Sequence, residues 1–136
     1  MTARRRAASG SPFEAEIGFS RAVRAGDRIL VSGTAPVWPD GSVDPSPRAQ
    51  AERCVEIIAA ALSELGGALD DVVRTRVLLT RREDAPAVSA VHAAAFGRAR
   101  PAATMVVVAE LLDPRWRVEI EAEAVVAAAG PGATLD

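Results

Sequence analysis

Apolar and charged side chains alternate strictly in one stretch near the end of the sequence, and this stretch constrains the fold more than any other. From Val118 to Ala127 the sequence reads VEIEAEAVVA, with an apolar residue at every second position and glutamates at three of the intervening ones. A period of two is typical of a β-strand that buries one face, whereas a helix would scatter the glutamates around its axis. The stretch therefore predicts a strand whose outer face carries carboxylates about 7 Å apart.

A second apolar run precedes this strand. Thr104–Val108 is apolar and mostly β-branched, which predicts a strand buried on both faces, because such strands lose the alternation. Pro101 stands just before this run, and Asp113-Pro114 predicts the turn that joins the two strands.

Short extended elements are predicted in the first part of the chain. Pro12–Phe19 is expected to be extended, and Gly26-Asp27 between Arg21–Ala25 and Arg28–Ser32 is typical of a β-hairpin. Gly33 follows the second arm, where the lack of a Cβ lets the backbone turn sharply or approach a ligand closely.

Two helices with a strand between them are predicted next. Ser46-Pro47 has the residue types of a helix start, apolar residues then recur every three or four positions, and Gly66-Gly67 is expected to end this first helix. Val72–Thr80 predicts a strand, since it is rich in Val, Leu and Thr. Asp84 is expected to cap a second helix that ends at Gly97.

The resulting order of elements, β-β-β-α-β-α-β-β, predicts an α+β fold with a mixed six-stranded sheet and both helices on one face. We expect a disordered N-terminal tail over residues 1–10, a single domain over residues 11–128 and a loose C-terminal tail over residues 129–136. A monomer has nothing left to cover the second face of the sheet, so an oligomer is expected.

Composition argues against several functional classes. The chain has 136 residues and a net charge of −2, which gives no electrostatic footprint for nucleic acid or for an anionic membrane. One cysteine and one histidine argue against an internal disulfide and against multi-Cys or His-rich metal sites. No apolar run reaches the ~18 residues of a membrane span, and Arg4–Arg6 are not followed by the apolar segment of a signal peptide. We therefore expect a cytoplasmic protein without a metal or cofactor.

Short motifs along the chain resemble those of one known family. They are IGFSRAV at residues 17–23, GD at 26–27, VSG at 31–33, DVVRT at 71–75, FG at 96–97, RPA at 100–102 and VEIEA at 118–122. In this order they resemble the RidA/YjgF family of reactive-intermediate deaminases, also labelled endoribonuclease L-PSP. The resemblance implies a chorismate-mutase-like fold and a homotrimer with clefts between subunits. Active members hydrolyse imine or enamine intermediates, such as 2-aminoacrylate, to a 2-oxo acid and ammonia.

The resemblance also implies a site. In the family an arginine holds the substrate carboxylate through two parallel hydrogen bonds, and a glutamate positions the water that attacks the imine. Glu121 matches that glutamate, and Gly33 matches a glycine whose backbone helps to hold the ligand. Phe19 stands where a tyrosine is usual, and Ala103 stands where the arginine is usual. Losing such an arginine typically costs about 2–5 kcal/mol of binding, which implies a divergent branch that is not an efficient 2-aminoacrylate deaminase.

Two of the charged candidates have a second interpretation. Glu121, together with Glu119 and Glu123, could pair in a ladder with Arg74 and Arg76 on another strand, because residues two apart share a face. Arg76 could instead be a relocated cation for the cleft.

The remaining candidates are less specific. His92 lies on or beside the apolar stripe of the second helix, and is either a buried or boundary histidine with one hydrogen bond or a group that titrates near the cleft. Thr34 and Thr104 offer hydroxyls to the cleft. Cys54 lies on the apolar stripe of the first helix and is expected to be inert core.

Three functions follow from these observations. The first is a hydrolase of small imine- or enamine-type metabolites, and the second is a module that binds a small molecule or a partner without chemistry. The third is an endoribonuclease, against which the acidic composition and the lack of basic and aromatic patches argue.

Overall fold

A computed structural model of the protein describes residues 3–127. Within this range the chain forms six strands and three α-helices, with short 3₁₀ turns before β4 and α3. Their bounds are β1 Arg4–Ala7, α1 Pro12–Ile17, β2 Ala22–Ala25, β3 Arg28–Thr34, α2 Pro47–Glu64, β4 Val72–Leu79, α3 Ala85–Phe96, β5 Ala102–Val107 and β6 Val118–Val125.

The strands form one mixed sheet in the order β1-β2-β3-β6-β4-β5. Neighbouring strands run antiparallel except β4 and β5, which are parallel. Buried side chains of α2 and α3 form one core with alternate residues of the inner strands. The predicted α+β class, with two main helices against a six-stranded mixed sheet, is therefore confirmed.

β6 shows the alternation that the sequence predicts. Val118, Ile120, Ala122 and Ala124 are buried under the helices. The glutamates between them lie on the opposite side, which we call the open face of the sheet. Because β6 pairs with β3 on one side and with β4 on the other, these carboxylates lie near the centre of the open face.

The start of β6 is fixed by a buried amide from α2. The Gln50 side chain is fully buried, its oxygen accepts from the Arg117 amide at 2.7 Å and its nitrogen donates to the Arg115 carbonyl at 3.0 Å. Arg117 in turn donates two hydrogen bonds to the Asp84 carboxylate, at 2.6 and 2.9 Å. Asp84 was expected to cap α3, but its side chain makes no cap bond because it is engaged by Arg117.

The predicted disorder of residues 1–10 is wrong for Arg4–Ala7. These residues form β1, which pairs antiparallel with β2, and Ala7 is buried in the core. The three arginines are exposed, as is common in edge strands, where charge discourages pairing with another chain. Composition suggested a solvated tail because a strand that buries one small residue has almost no apolar signal. The C-terminal tail predicted over residues 129–136 lies outside the described residues.

Pro12–Phe19 is not the extended segment that the sequence predicted. Pro12–Ile17 forms the short helix α1, with the Ser11 hydroxyl accepting from the Phe13 amide at 3.3 Å. Gly18 ends this helix with a φ of 92°, a left-handed conformation that glycine adopts without strain. The Ser-Pro start signal was present, but six residues are too few to show an apolar stripe.

β5 also differs from its prediction. It is an edge strand that pairs only with β4 among the described residues, and Val106 and Val107 are 42% and 52% exposed. The apolar run that predicted burial on both faces is therefore uncovered in the single chain.

Apolar side chains remain on the open face as well. Leu30, Val106 and Val125 are 45%, 42% and 43% exposed. Among the helices of residues 3–127, none combines the length and the apolarity that a membrane crossing requires.

Candidate functional site

Glu121, the predicted catalytic residue, is held in an ion pair. The register of β4 against β6 places Arg76 directly opposite it, and Arg76 Nη1 donates to Glu121 Oε1 at 2.7 Å. Both side chains are open to solvent, at 52% and 37% exposure. Arg28 pairs in the same way with Glu123. The Arg76–Glu121 pair belongs to the predicted ladder, whereas within residues 3–127 Glu123 pairs with Arg28 and not with Arg74. Neither Glu121 nor Arg76 is therefore a free group on the open face.

Glu119, which shares this face, has different surroundings. Its side chain is half-buried, and its Oε2 atom lies closer than van der Waals contact to the position that a Cβ on Gly33 would take. Burial raises the pKa of its carboxyl group, the nearby Arg21 guanidinium opposes that rise, and the negative charge of Glu121 adds to it. Glu119 is in none of the ion pairs formed within residues 3–127. It is therefore the carboxylate on this strand that is both partly desolvated and uncommitted.

A bulge in β3 explains why Glu119 meets Gly33. Pairing between β3 and β6 changes register between Val31 and Thr34, and an extra residue of this kind re-aims its neighbours. The backbone of Gly33 then faces the Glu119 carboxylate without an intervening side chain. A Cβ at this position would displace the Glu119 carboxylate, so glycine allows that carboxylate to keep its place.

Arg21 contacts the same glycine through its backbone carbonyl. Its neighbour Ala22 is buried in the core, so the Arg21 side chain points to the open face. Arg21 Nη2 donates to the Gly33 carbonyl at 2.7 Å, and its guanidinium carbon lies 5.8 Å from the centroid of the Phe19 ring. Burial lowers the pKa of Arg21, while the charges of Glu14 and Glu119 raise it.

Phe19, Arg21, Gly33 and Glu119 thus come together, and we call them the Gly33 cluster. It contains two residues of the predicted site, Phe19 and Gly33. Thr34 adjoins the cluster but is fully buried toward α2, and its carbonyl accepts from Cys54 Sγ at 3.2 Å. Its hydroxyl donates to the Ser32 carbonyl, so it is not directed into the cluster.

Ala103 does not meet the Gly33 cluster within one chain. It pairs with Thr75 of β4, and Thr75 is fully buried on the helix side of the sheet. β4 lies between β5 and β6 in the sheet, so the strand that carries Ala103 is about 10 Å from the strand that carries Glu119. Thr104 pairs with Arg76 and shares the open face with the ladder.

His92 lies on the helix side of the sheet, apart from the Gly33 cluster and from the ion pairs of the open face. It lies 2.8 Å from Thr75 Oγ1 through its Nε2 atom, and its ring packs against Phe96 with centroids 4.7 Å apart. Burial lowers the pKa of its imidazole. A surface pocket beside it is lined by Phe96, Gly97, Arg100 and Pro101. His92 is thus a boundary histidine with one side-chain hydrogen bond among the described residues, which agrees with one of the two interpretations that the sequence left open.

The other expectations concern inert groups. Cys54 is fully buried, and burial raises the pKa of its thiol well above the usual range, so it is core as expected. In residues 3–127 no group of three or more His, Cys, Asp or Glu side chains is arranged to hold a metal ion.

Sequence reasoning missed two members of the Gly33 cluster, Glu119 and Arg21. The alternation in β6 places Glu119 and Glu121 on one face but does not show which of the two is partly buried and without an ion pair. That difference depends on the bulge in β3 and on the position of Arg76. Arg21 lies within a motif that carried the family resemblance, yet nothing local shows that it reaches Gly33.

Comparison with known proteins identifies the family. The sequence profile described as endoribonuclease L-PSP matches residues 10–126. The chain belongs to the endoribonuclease L-PSP (YjgF/RidA) family. An uncharacterized protein of Streptomyces coelicolor is 40% identical over 123 residues, which cover 88% of this chain and 90% of the relative.

Solved structures agree. The crystal structure of a Mycobacterium tuberculosis member of the YjgF/YER057c/UK114 family has a TM-score of 0.84 and 41% identity, over 91% of this chain and 100% of that one. A RidA structure from an Antarctic Psychrobacter has a TM-score of 0.76 and 30% identity, over 89% of this chain and 94% of that one. The family resemblance found in the motifs is thereby confirmed.

Proposed function

We propose that this L-PSP family member hydrolyses small reactive imines or enamines, with Glu119 as the group that orients and deprotonates the attacking water. The observation that carries the proposal is the environment of Glu119: it is half-buried, uncommitted and in contact with the bare backbone of Gly33. Glu121, the residue first matched to the family glutamate, is engaged by Arg76.

The chemistry needs one group that moves a proton. Water adds to the imine carbon while Glu119 takes one of its protons and passes it to the imine nitrogen, which gives a neutral carbinolamine. Glu119 then takes the hydroxyl proton and delivers it to the nitrogen, so that the C=O bond forms as the C–N bond breaks and ammonia leaves. A carboxylate with a raised pKa is a better base than an exposed one, because its proton affinity is closer to that of the atoms it serves. The chain contains no lysine, so no lysine side chain can form a covalent imine with the substrate.

The proposal includes a homotrimer in which the cleft lies between subunits. Exposed apolar side chains on the open face and the uncovered strand β5 support an assembly. The separation of Ala103 from the Gly33 cluster within one chain supports a cleft assembled from two copies. Since Ala103 has no guanidinium to form the two-bond fork with the substrate carboxylate, we expect 2-aminoacrylate to be hydrolysed less efficiently than by family members that carry the arginine.

The experiment measures ammonia release from imines generated in situ, with the wild-type protein and Glu119→Gln. We expect the variant to lose about 10²- to 10⁴-fold in kcat, the usual contribution of a general base. The oligomeric state of both proteins, measured by light scattering, shows whether the variant has kept its assembly. Undiminished turnover by an intact Glu119→Gln assembly would contradict the assignment.

A non-catalytic binding role is the second candidate, favoured by the absence of both the family arginine at Ala103 and a tyrosine at Phe19. Under this role a broad imine panel gives no turnover, while small ligands still raise the thermal unfolding midpoint. An endoribonuclease role is disfavoured by the net charge of −2, because it provides no electrostatic attraction for the phosphates of RNA.

A further inference from the structure

We propose that Arg21 supplies the positive charge of the cleft and selects ligands that carry a carboxylate next to the carbon attacked at Glu119. This inference rests on the proposed function, which places the reacting carbon of the ligand next to Glu119. It assigns the charge to a residue beside β2, on a different face of the sheet from Ala103.

The position of Arg21 is the first argument. Its guanidinium donates to the Gly33 carbonyl, and the Glu119 carboxylate lies next to the position that a Cβ of the same glycine would take. The two charges influence each other, yet they form no ion pair within the described residues. Neither charge is therefore neutralised by direct contact with the other, and both lie next to the same backbone segment.

The donors of Arg21 are the second argument. Nη2 is used by the Gly33 carbonyl, whereas Nε is buried and has no acceptor in residues 3–127. Nη1 donates to no group in the same range. A buried donor without a partner destabilises a protein unless something else supplies the acceptor. A ligand carboxylate supplies two oxygens, and the Gly33 contact can stay in place while Nη1 binds one of them.

The third argument is the state of the other cations on the open face. Arg76 and Arg28 are neutralised by Glu121 and Glu123. Arg74 lies opposite Glu123 on β4. The residue of β4 that lies opposite Glu119 is four positions farther along the strand, roughly 13 Å from Arg74. Arg21 is the cation that acts on the Glu119 carboxylate.

The contact differs from a free arginine fork, since one nitrogen is already bound to the protein and the Phe19 ring lies near the guanidinium. A single charge-assisted hydrogen bond is typically associated with a preference of roughly tenfold to a hundredfold. We therefore expect a moderate preference for a carboxylate over its neutral amide.

The test compares binding of pyruvate with binding of pyruvamide, which replaces the carboxylate by a neutral amide of similar shape. Dissociation constants are measured for the wild type, Arg21→Gln, Arg21→Lys and Arg48→Gln. Arg48 is exposed on α2 and pairs only with Glu52 among residues 3–127, so its variant controls for the loss of one charge. We expect the wild type and Arg48→Gln to prefer pyruvate at least tenfold, Arg21→Gln to lose that preference, and Arg21→Lys to retain part of it.

A measurement on the unmodified protein covers the case in which Arg21→Gln fails to fold. Pyruvate should shift the Nε–H resonance of Arg21 in a ¹H–¹⁵N spectrum, and pyruvamide should not; Arg21→Lys assigns that resonance. Equal binding of the two probes by the wild type, or an unchanged preference in Arg21→Gln, would overturn the inference. Because binding is measured, a protein without imine hydrolase activity still gives a clear result, and the two proposals fail separately.

Discussion

Glu119 and Glu121 lie two residues apart on one strand and on one face, yet their surroundings are opposite. Glu121 is exposed and bound to Arg76 at 2.7 Å. Glu119 is half-buried against Gly33, with a raised pKa and no ion-pair partner within residues 3–127. The difference comes from the neighbouring strands: the register of β4 provides the cation for Glu121, and the bulge in β3 provides the bare backbone for Glu119. The chemical capacity of a carboxylate is set here by pairing geometry more than by residue type.

The largest effect is expected from restoring a guanidinium at the family position. Ala103→Arg should raise kcat/KM for 2-aminoacrylate by about 30-fold to several thousandfold, which corresponds to about 2–5 kcal/mol. The measurement is ammonia release with 2-aminoacrylate generated in situ. The same gain in Ala103→Arg combined with Glu119→Gln would break the comparison, since the new arginine is expected to need Glu119 and not Glu121.

A smaller effect is expected when the glycine that separates the two environments is changed. Gly33→Ala places a Cβ where the Glu119 carboxylate lies, so this carboxylate must move, and we expect kcat to fall roughly tenfold, the cost of about 1.4 kcal/mol. In a Glu119→Gln background the same substitution should have much less effect, because neighbouring residues are not additive. Steady-state kinetics of the four proteins give the coupling, and full additivity would show that Gly33 acts by another route.

The pH profile should respond in opposite directions to two substitutions. The acid limb of the pH profile of kcat/KM gives the pKa of Glu119 in the free enzyme. Burial raises this pKa, the charge of Arg21 lowers it and the charge of Glu121 raises it. Arg21→Gln should therefore move this limb to higher pH, and Glu121→Gln should move it to lower pH. Shifts of the same sign, or none, would show that the titrating group is not Glu119.

The smallest effect concerns stability. The folded-state pKa of Glu119 is raised above 4.5, so the folded protein binds more protons than the unfolded one in that window. The contribution of Glu119 to stability therefore falls as the pH rises from the unfolded pKa through the folded one. Glu119→Gln should raise the thermal midpoint at pH 7 relative to the wild type, whereas Glu121→Gln should lower stability by about 0–1 kcal/mol through loss of an exposed pair.

Calorimetry at pH 7 and again below the unfolded pKa of these carboxyls separates the two cases. At the lower pH the advantage of Glu119→Gln should disappear, because Glu119 is then neutral in both states of the wild type. An advantage that persists unchanged at low pH would mean that the introduced amide stabilises the fold by packing.

Much of the fold could be predicted because its signals are local. The alternation of β6, the Ser46-Pro47 helix start and the Gly26-Asp27 turn each specify an element without knowledge of the rest. β1 could not be predicted in this way, since its evidence is a pairing with β2 and one buried alanine.

The candidate site was predicted in part for the same reason. Phe19 and Gly33 were found because they lie in recognisable motifs. Glu119 could not be separated from Glu121 without the register of three strands, and Arg21 could not be assigned without its contact across to Gly33. Groups that act through long-range pairing leave no local periodicity to detect.

The buried Gln50 amide has a consequence for how the molecule fluctuates. It joins the first turn of α2 to the residues that lead into β6, so local opening of that turn releases the segment that carries Glu119. Backbone amide exchange at Arg117 should then proceed at the rate of the first turn of α2, even though the two are far apart in the chain. Gln50→Leu should uncouple these rates, and the Gly33 cluster would then open more often than the sheet around it.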